Sequence, residues 1–310
     1  MIKKIIIITM SLCIIYSILI YAVRPATMNQ HVRQINMVKV QDYVFGKNKK
    51  FVIVGSSLSS ISLTSSRSED YSDLSFPGSS IYDGLEIIKK SGFIPRVIFI
   101  EANYFHKVSY KIIEMNKITF MPVVFDLKKN IPILQEKYQP MNVLMPYIIK
   151  RIHAVKNKIG DFSHNEKIEQ SAVMLSEGVS REKSFFSEIL KLYMKEYNKI
   201  PDARSLNTGI TLLKKYIGYF EDRGVKIIFF EMPVEEILCS APRAVHLRTY
   251  LRKQFRPSDY EYIPLPDCSL YKTSDGIHLN PESEAIYKNY FFNEVDKILI
   301  KGANKNSSKP

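Results

Sequence analysis

From Ile5 to Val23 the chain is an almost unbroken apolar run, preceded by Lys3 and Lys4. A helix of that length, at about 1.5 Å per residue, matches the ~30 Å hydrocarbon core of a bilayer. The sequence therefore predicts an N-terminal transmembrane helix over residues 1–23. The basic pair on its N-terminal side favours a cytoplasmic N-terminus, which places everything after Val23 on the extracytoplasmic side. A cleaved signal peptide competes, but Arg24-Pro25 sets a charge and a proline where signal peptidase expects small residues. Cys13 follows Leu12, not the small residue of a lipoprotein anchor, and reads as an apolar membrane residue.

The remaining chain is rich enough in apolar side chains, at 45% hydrophobic and 12% aromatic overall, to bury a large core. Its formal charge of +13 is spread along the whole length and accompanies no nucleic-acid motif. Outside the cytoplasm the anionic partners are lipid headgroups and acidic polymers. A solvated basic surface without any partner explains the charge equally well. Cys239 and Cys268 form an exported pair that is either a disulfide or two free structural thiols. The bridge would close a loop of about 30 residues and contribute roughly 3 kcal/mol in the chain-entropy picture.

After a connector over residues 24–50, Phe51-Val52-Ile53-Val54 reads as a buried strand running into the turn Gly55-Ser56-Ser57. A second turn at Phe76-Pro77-Gly78 precedes a helix over Tyr82 to Lys90 and a strand over Arg96 to Ile100. The same grammar returns with a helix over Leu212 to Phe220, stopped by Gly224, and a strand over Val225 to Phe230. A basic helix (Val245 to Phe255), a short strand (Tyr260 to Leu265) and a closing helix (Glu284 to Ile298) follow. At least four parallel-type strands predict a doubly wound α/β sheet in a domain over residues 51–300, with its site beyond the C-terminal strand ends. Between residues 107 and 202, prolines 122, 132, 140 and 146 break long amphipathic stretches, with helices near Val143 to Lys158 and Phe185 to Tyr197. This helical insertion either covers the site or faces the membrane. The polar tail, residues 301–310, is expected to be disordered.

Asp275-Gly276-Ile277-His278 is the strongest chemical signal, because a carboxylate three residues before an imidazole holds its tautomer within one turn. Asn280 suits an N-cap and Pro281 the first helical position, which would seat His278 rigidly before a helix. A histidine that only caps or packs is the alternative. Ser57 is the candidate nucleophile and Ser56 its rival, although a serine-rich turn is often just a loop. The lipase-type G-x-S-x-G elbow is absent, since Ser59 stands where the second glycine belongs. Gly78, through its backbone N–H, and Asn103, through its amide, are candidate donors to an oxyanion alongside Ser57. Elsewhere the same residues serve as a turn glycine and a strand-end cap.

The order Gly-x-Ser after the first strand, glycine after the second turn, asparagine after the next strand and Asp-x-x-His near the C-terminus resembles the SGNH (GDSL-like) hydrolase superfamily. Its blocks fall on Ser57, Gly78, Asn103 and His278, with Asp275 completing a triad. The likeness spans about Phe51 to Asn103 and Lys226 to Tyr290, and leaves the insertion unexplained. It implies a three-layer, flavodoxin-like fold and a serine esterase or O-acyltransferase. Gly-Ser-Ser-Leu departs from Gly-Asp-Ser-Leu, and with Phe-Pro-Gly-Ser-Ser-Ile-Tyr-Asp-Gly and Ile-Glu-Ala-Asn it is similar to membrane-anchored proteins of cell-envelope modification. Examples are the D-alanine transfer proteins of teichoic acid and the alginate O-acetylation proteins. That branch implies an acylated carbohydrate or glycopolymer as substrate and a membrane-bound acyltransferase as partner, and leaves hydrolysis or transfer open.

Of the other polar residues, His106 reads as a surface histidine in preference to a second base, and Glu231 as a carboxylate bonding a loop backbone beside the site. His31, His153, His164 and His246 lack the spacing and company of a metal site, so neither a metal nor another cofactor is expected. Two competing functions remain: a non-catalytic accessory protein of polysaccharide or teichoic acid acylation, and a lysophospholipase-type lipid esterase.

Overall fold

The structure, a computed structural model, describes residues 2–23, 32–60, 67, 69–160 and 185–307. His31, His164, Arg24 and the middle of the predicted insertion lie outside the described residues. The chain divides into two compact units, Met1–Lys47 with Ile112–Glu177, and Asn48–Lys111 with Gly178–Pro310.

The second unit is α/β. Its five strands are β1 (Phe51–Gly55), β2 (Tyr71–Ser75), β3 (Val97–Glu101), β4 (Lys226–Phe230) and β5 (Glu261–Tyr262). All pair in parallel, in the order β2-β1-β3-β4-β5. β1, β3 and β4 are runs of β-branched and aromatic residues buried on both faces, as the central strands of a parallel sheet must be. β2 was not expected as a strand, because Tyr-Ser-Asp-Leu-Ser carries three polar residues. It is tolerated at the sheet edge, where Ser72 and Asp73 stay partly exposed. β5 is shorter than its predicted span. Ile263 N still donates to Phe229 O, but Pro264 and Pro266 have no N–H to continue the ladder.

Helices cover both faces. α3 (Ile81–Ser91) approaches β1 closely at Gly84, where a Cβ would lie 2.8 Å from Val54 Cγ1, and α8 (Ala203–Glu221) packs beside α3 through Tyr82 and Tyr216. On the other face α11 (Pro281–Ser307) sets Phe291 edge-on to Phe99 and Phe230, and Phe292 to Tyr71. Buried Ile53, Ile228, Tyr287 and Val295 complete that core. α8 begins well before Leu212, because Asp202 caps it by accepting from Ser205 N. α11 likewise outruns Ile298. The expected disordered tail continues it to Ser307, since each added helical residue gains a hydrogen bond and no proline intervenes before Pro310.

In the first unit α1 (Ile2–Val23) is long and apolar enough to cross a membrane. The segment expected as a connector forms α2 (Val32–Phe45), which buries Val38, Val40, Tyr43 and Val44. α4 (Lys111–Met115), α5 (Pro122–Asn130), two 3-10 turns (Pro132–Leu134 and Glu136–Tyr138) and α6 (Pro140–Gly160) follow. The described residues between 107 and 202 are helical and hold no strand, as predicted, but they do not form one insertion. α7, over residues 185–197, belongs to the α/β unit, where Leu190, Tyr193 and Met194 pack on the core. With α9 (Glu236–Cys239) and α10 (Pro242–Gln254) the described residues hold eleven α-helices.

Candidate active site

In a sheet of this order the connections diverge on either side of β1, opening a crevice beyond the strand ends. Ser57 follows β1 into it. Its Oγ lies 2.9 Å from His278 Nε2, and His278 Nδ1 lies 2.6 Å from Asp275 Oδ2. The serine and histidine are 221 residues apart in sequence.

The loop that carries the acid and the imidazole is a tight hairpin. Thr273 and Leu279 form an antiparallel bridge, Ser274 N donates to His278 O, and Asn280 N donates to Lys272 O. Gly276 at its tip has φ +99°, which favours glycine, and a Cβ there would lie 3.1 Å from Leu190 Cδ1. Asp275 Oδ1 accepts from the backbone N–H groups of Ile277 and His278, so one carboxylate fixes both the turn and the ring. Burial pushes the Asp275 carboxyl up. The hydrogen bonds from His278 and Ile277 outweigh it and hold the group below the usual carboxylate range. Asn280 Oδ1 accepts from Ser283 N, and Pro281 opens α11, which is the predicted cap.

On the nucleophile side the structure separates the two serines. Ser57 is half-buried with its hydroxyl on the histidine, whereas Ser56 is buried and donates through both N–H and Oγ to Glu101. Glu101 ends β3 and is completely buried. Besides the two bonds from Ser56 it accepts one of 2.6 Å from Ser59 Oγ, which also meets Ser75 Oγ. Burial raises the Glu101 carboxyl above its ordinary value against the opposing pull of these bonds. Gly55 must lack a side chain, because a Cβ would lie 1.8 Å from Ser59 Oγ and 2.7 Å from Glu101 Oε2. Sequence reasoning missed Glu101 as part of the site. Its signal was a single charge closing a wholly apolar strand, Val-Ile-Phe-Ile-Glu.

The two remaining oxyanion candidates stand differently. Gly78, φ +73°, sits in the exposed turn that leaves β2, beside the end of β1, where Phe76 N donates to Gly55 O. Asn103 follows β3, but its amide clasps Met232: Nδ2 donates to Met232 O and Oδ1 accepts from Met232 N. That ties the β3 and β4 loops together and leaves the amide one further N–H.

Two expectations are corrected. His106 is not on the surface: it is buried with Nε2 against Arg243 Nη2 at 2.9 Å, and burial, reinforced by Arg243 and Lys107, lowers its pKa to about 3. Among the described residues the Glu231 carboxylate bonds no loop backbone but accepts from Arg248 Nε through both oxygens. Both arginines come from α10, Arg243 137 residues after His106 and Arg248 17 residues after Glu231, so neither pairing is a short-range one. Glu231, Arg243 and Arg248, with Asn103, Tyr104 and Tyr197, line a small cleft whose walls do not include Ser57 or His278.

Cys239 on α9 and Cys268 are joined in a disulfide, Cα to Cα 6.5 Å. It anchors the chain shortly before Asp275. Opening the loop of 29 residues is expected to destabilise the unit by roughly 3 kcal/mol, and to lower its melting temperature by about 10 °C. Calorimetry with and without reductant measures this, and an unchanged transition would show that the bridge contributes nothing. Comparison with models of known protein families, with curated proteins and with solved structures finds no match.

Proposed function

We propose that this protein is a membrane-anchored serine esterase or O-acyltransferase of the SGNH type. Its substrates are the acyl groups of cell-envelope glycopolymers, and its α/β unit works on the extracytoplasmic side. The observation that carries the proposal is the continuous chain Ser57 Oγ, His278 Nε2, His278 Nδ1, Asp275 Oδ2, with hydrogen-bond distances at both links.

In that arrangement His278 takes the Ser57 proton as Oγ attacks the acyl carbonyl, and Asp275 stabilises the imidazolium. The tetrahedral oxyanion falls to the Ser57 backbone N–H, the Gly78 N–H and the remaining amide N–H of Asn103. His278 then returns the proton to the departing alcohol, leaving an acyl group on Ser57. A water or a sugar hydroxyl, deprotonated by the same imidazole, collects it. The glycopolymer assignment comes from the resemblance of the motifs and from the cationic surface, which suits an anionic envelope polymer.

The test is a fluorophosphonate probe on the full chain in detergent, followed by peptide mapping. Covalent label on Ser57, abolished by prior denaturation, is the expected result. A folded chain that takes no label would refute the assignment and favour an accessory protein, and label on another residue would place the nucleophile there.

A further inference from the structure

The first unit buries apolar residues such as Val40, Val44 and Val143, yet it also buries polar ones and leaves apolar stripes exposed. Several polar side chains turn inward and bond backbone groups: Gln135 Nε2 donates to Lys128 O, Asn142 Nδ2 to Glu136 O, and Gln41 Oε1 accepts from Glu136 N. Gln41, Gln135 and Asn142 are all buried. Apolar side chains instead face outward at helical spacing. Val123 (72% exposed) and Leu127 mark α5, while Met141, Leu144 and Ile148 (57%, 52% and 44% exposed) mark α6. Water is a poor solvent for such stripes, and a soluble unit would have them reversed.

The position of α1 supplies the occupant. Tyr16 Oη donates to Tyr138 O, and Ile20 is buried in the same unit. Tyr16 lies about 10 Å short of the C-terminal end of the helix at 1.5 Å per residue. If α1 spans a bilayer, the turns over residues 132–138 touch it at hydrocarbon depth, and the outward stripes of α5 and α6 flank those turns. Exposed Lys129, Lys150 and Arg151 suit anionic headgroups at the rim.

We propose that α5, the turns after it and α6 form a second lipid contact, embedded in the leaflet that the C-terminal half of α1 reaches, with Val123, Leu144 and Ile148 among acyl chains. The proposal rests on α1 as a membrane span and is independent of the catalytic assignment.

The chain contains no tryptophan, so Val123→Trp, Leu144→Trp and Ile148→Trp each give a sole indole reporter in the full protein. Ile8→Trp reports on α1, and Leu270→Trp, on an exposed turn of the α/β unit, supplies a water-facing reference. Each variant is reconstituted in vesicles of phosphatidylglycerol and phosphatidylethanolamine with brominated acyl chains. Emission from the three stripe variants is expected to fall about twofold or more, as for Ile8→Trp, with little further quenching by aqueous iodide. Stripe variants quenched by iodide like the reference, while Ile8→Trp still responds to bromolipid, would overturn the proposal and leave the α1 span standing. Shielding from both quenchers would overturn it in favour of a protein cover, such as a second copy. An Ile8→Trp variant blind to bromolipid would overturn the span and the proposal together.

Discussion

Ser57→Ala and His278→Ala are each expected to lower turnover of an activated acyl ester by about 10⁴-fold or more, and the double variant by no more than either alone. The losses do not add because Oγ and Nε2 act as one unit across a 2.9 Å contact. A serine without its base is a weak nucleophile, and a base without its serine has no proton to take. Folding should survive both changes, since Ser57 is half-buried and its hydroxyl bonds only to the imidazole among the described residues. Ser56→Ala supplies the contrast. It deletes a buried donor to Glu101 and is expected to cost roughly 1–3 kcal/mol of stability. Its effect on turnover is expected to be far smaller. Kinetics on p-nitrophenyl acetate with parallel thermal unfolding checks all four proteins. Near-normal turnover in Ser57→Ala with abolition in Ser56→Ala would move the nucleophile by one residue.

Glu101→Ala is expected to have the second-largest effect. It removes the acceptor that holds Ser56 N–H, Ser56 Oγ and Ser59 Oγ, and so releases the turn that aims Ser57. A displacement of about 1 Å at a reacting group costs on the order of a hundredfold in rate. The buried donors left without partners, and the cavity, should cost about 4 kcal/mol of stability. Because Glu101 acts through Ser57 and touches no substrate, kcat and the rate of fluorophosphonate labelling should fall together while KM changes little. Glu101→Gln should recover most of the rate: its oxygen can accept from Ser56 N–H and Ser59, and its amide can donate to the Ser56 hydroxyl. Burial raises the carboxyl pKa in the folded state, so its contribution to stability is fully present below the usual carboxylate range and declines as pH rises through the folded pKa. The stability of the wild type relative to Glu101→Gln should therefore fall as pH increases through that range. A parallel pair of stability curves, or an Ala variant with unchanged kcat, would remove Glu101 from its positioning role.

Features with short-range causes were legible in the chain before any tertiary contact was known. The apolar run that became α1, the continuous β-branched runs of β1, β3 and β4, and the Asn280-Pro281 start of α11 each follow from hydrophobic pattern or from capping within a few residues. The pairing of Asp275 with His278 is local for the same reason, since one turn brings a carboxylate and an imidazole three residues apart together. Tertiary structure decided the rest. β2 is a strand because β1 offers it an edge, although its own sequence is half polar. Ser57 is distinguished from Ser56 by Glu101 on a neighbouring strand, and His106 and Glu231 meet arginines of α10. Only the packing of the first unit shows that α2 buries apolar residues while α5 and α6 expose Val123, Leu127, Leu144 and Ile148. A residue's own pattern reports how it prefers to be solvated. Which partner satisfies it, when that partner lies tens to hundreds of residues away, is set by strand order and helix packing.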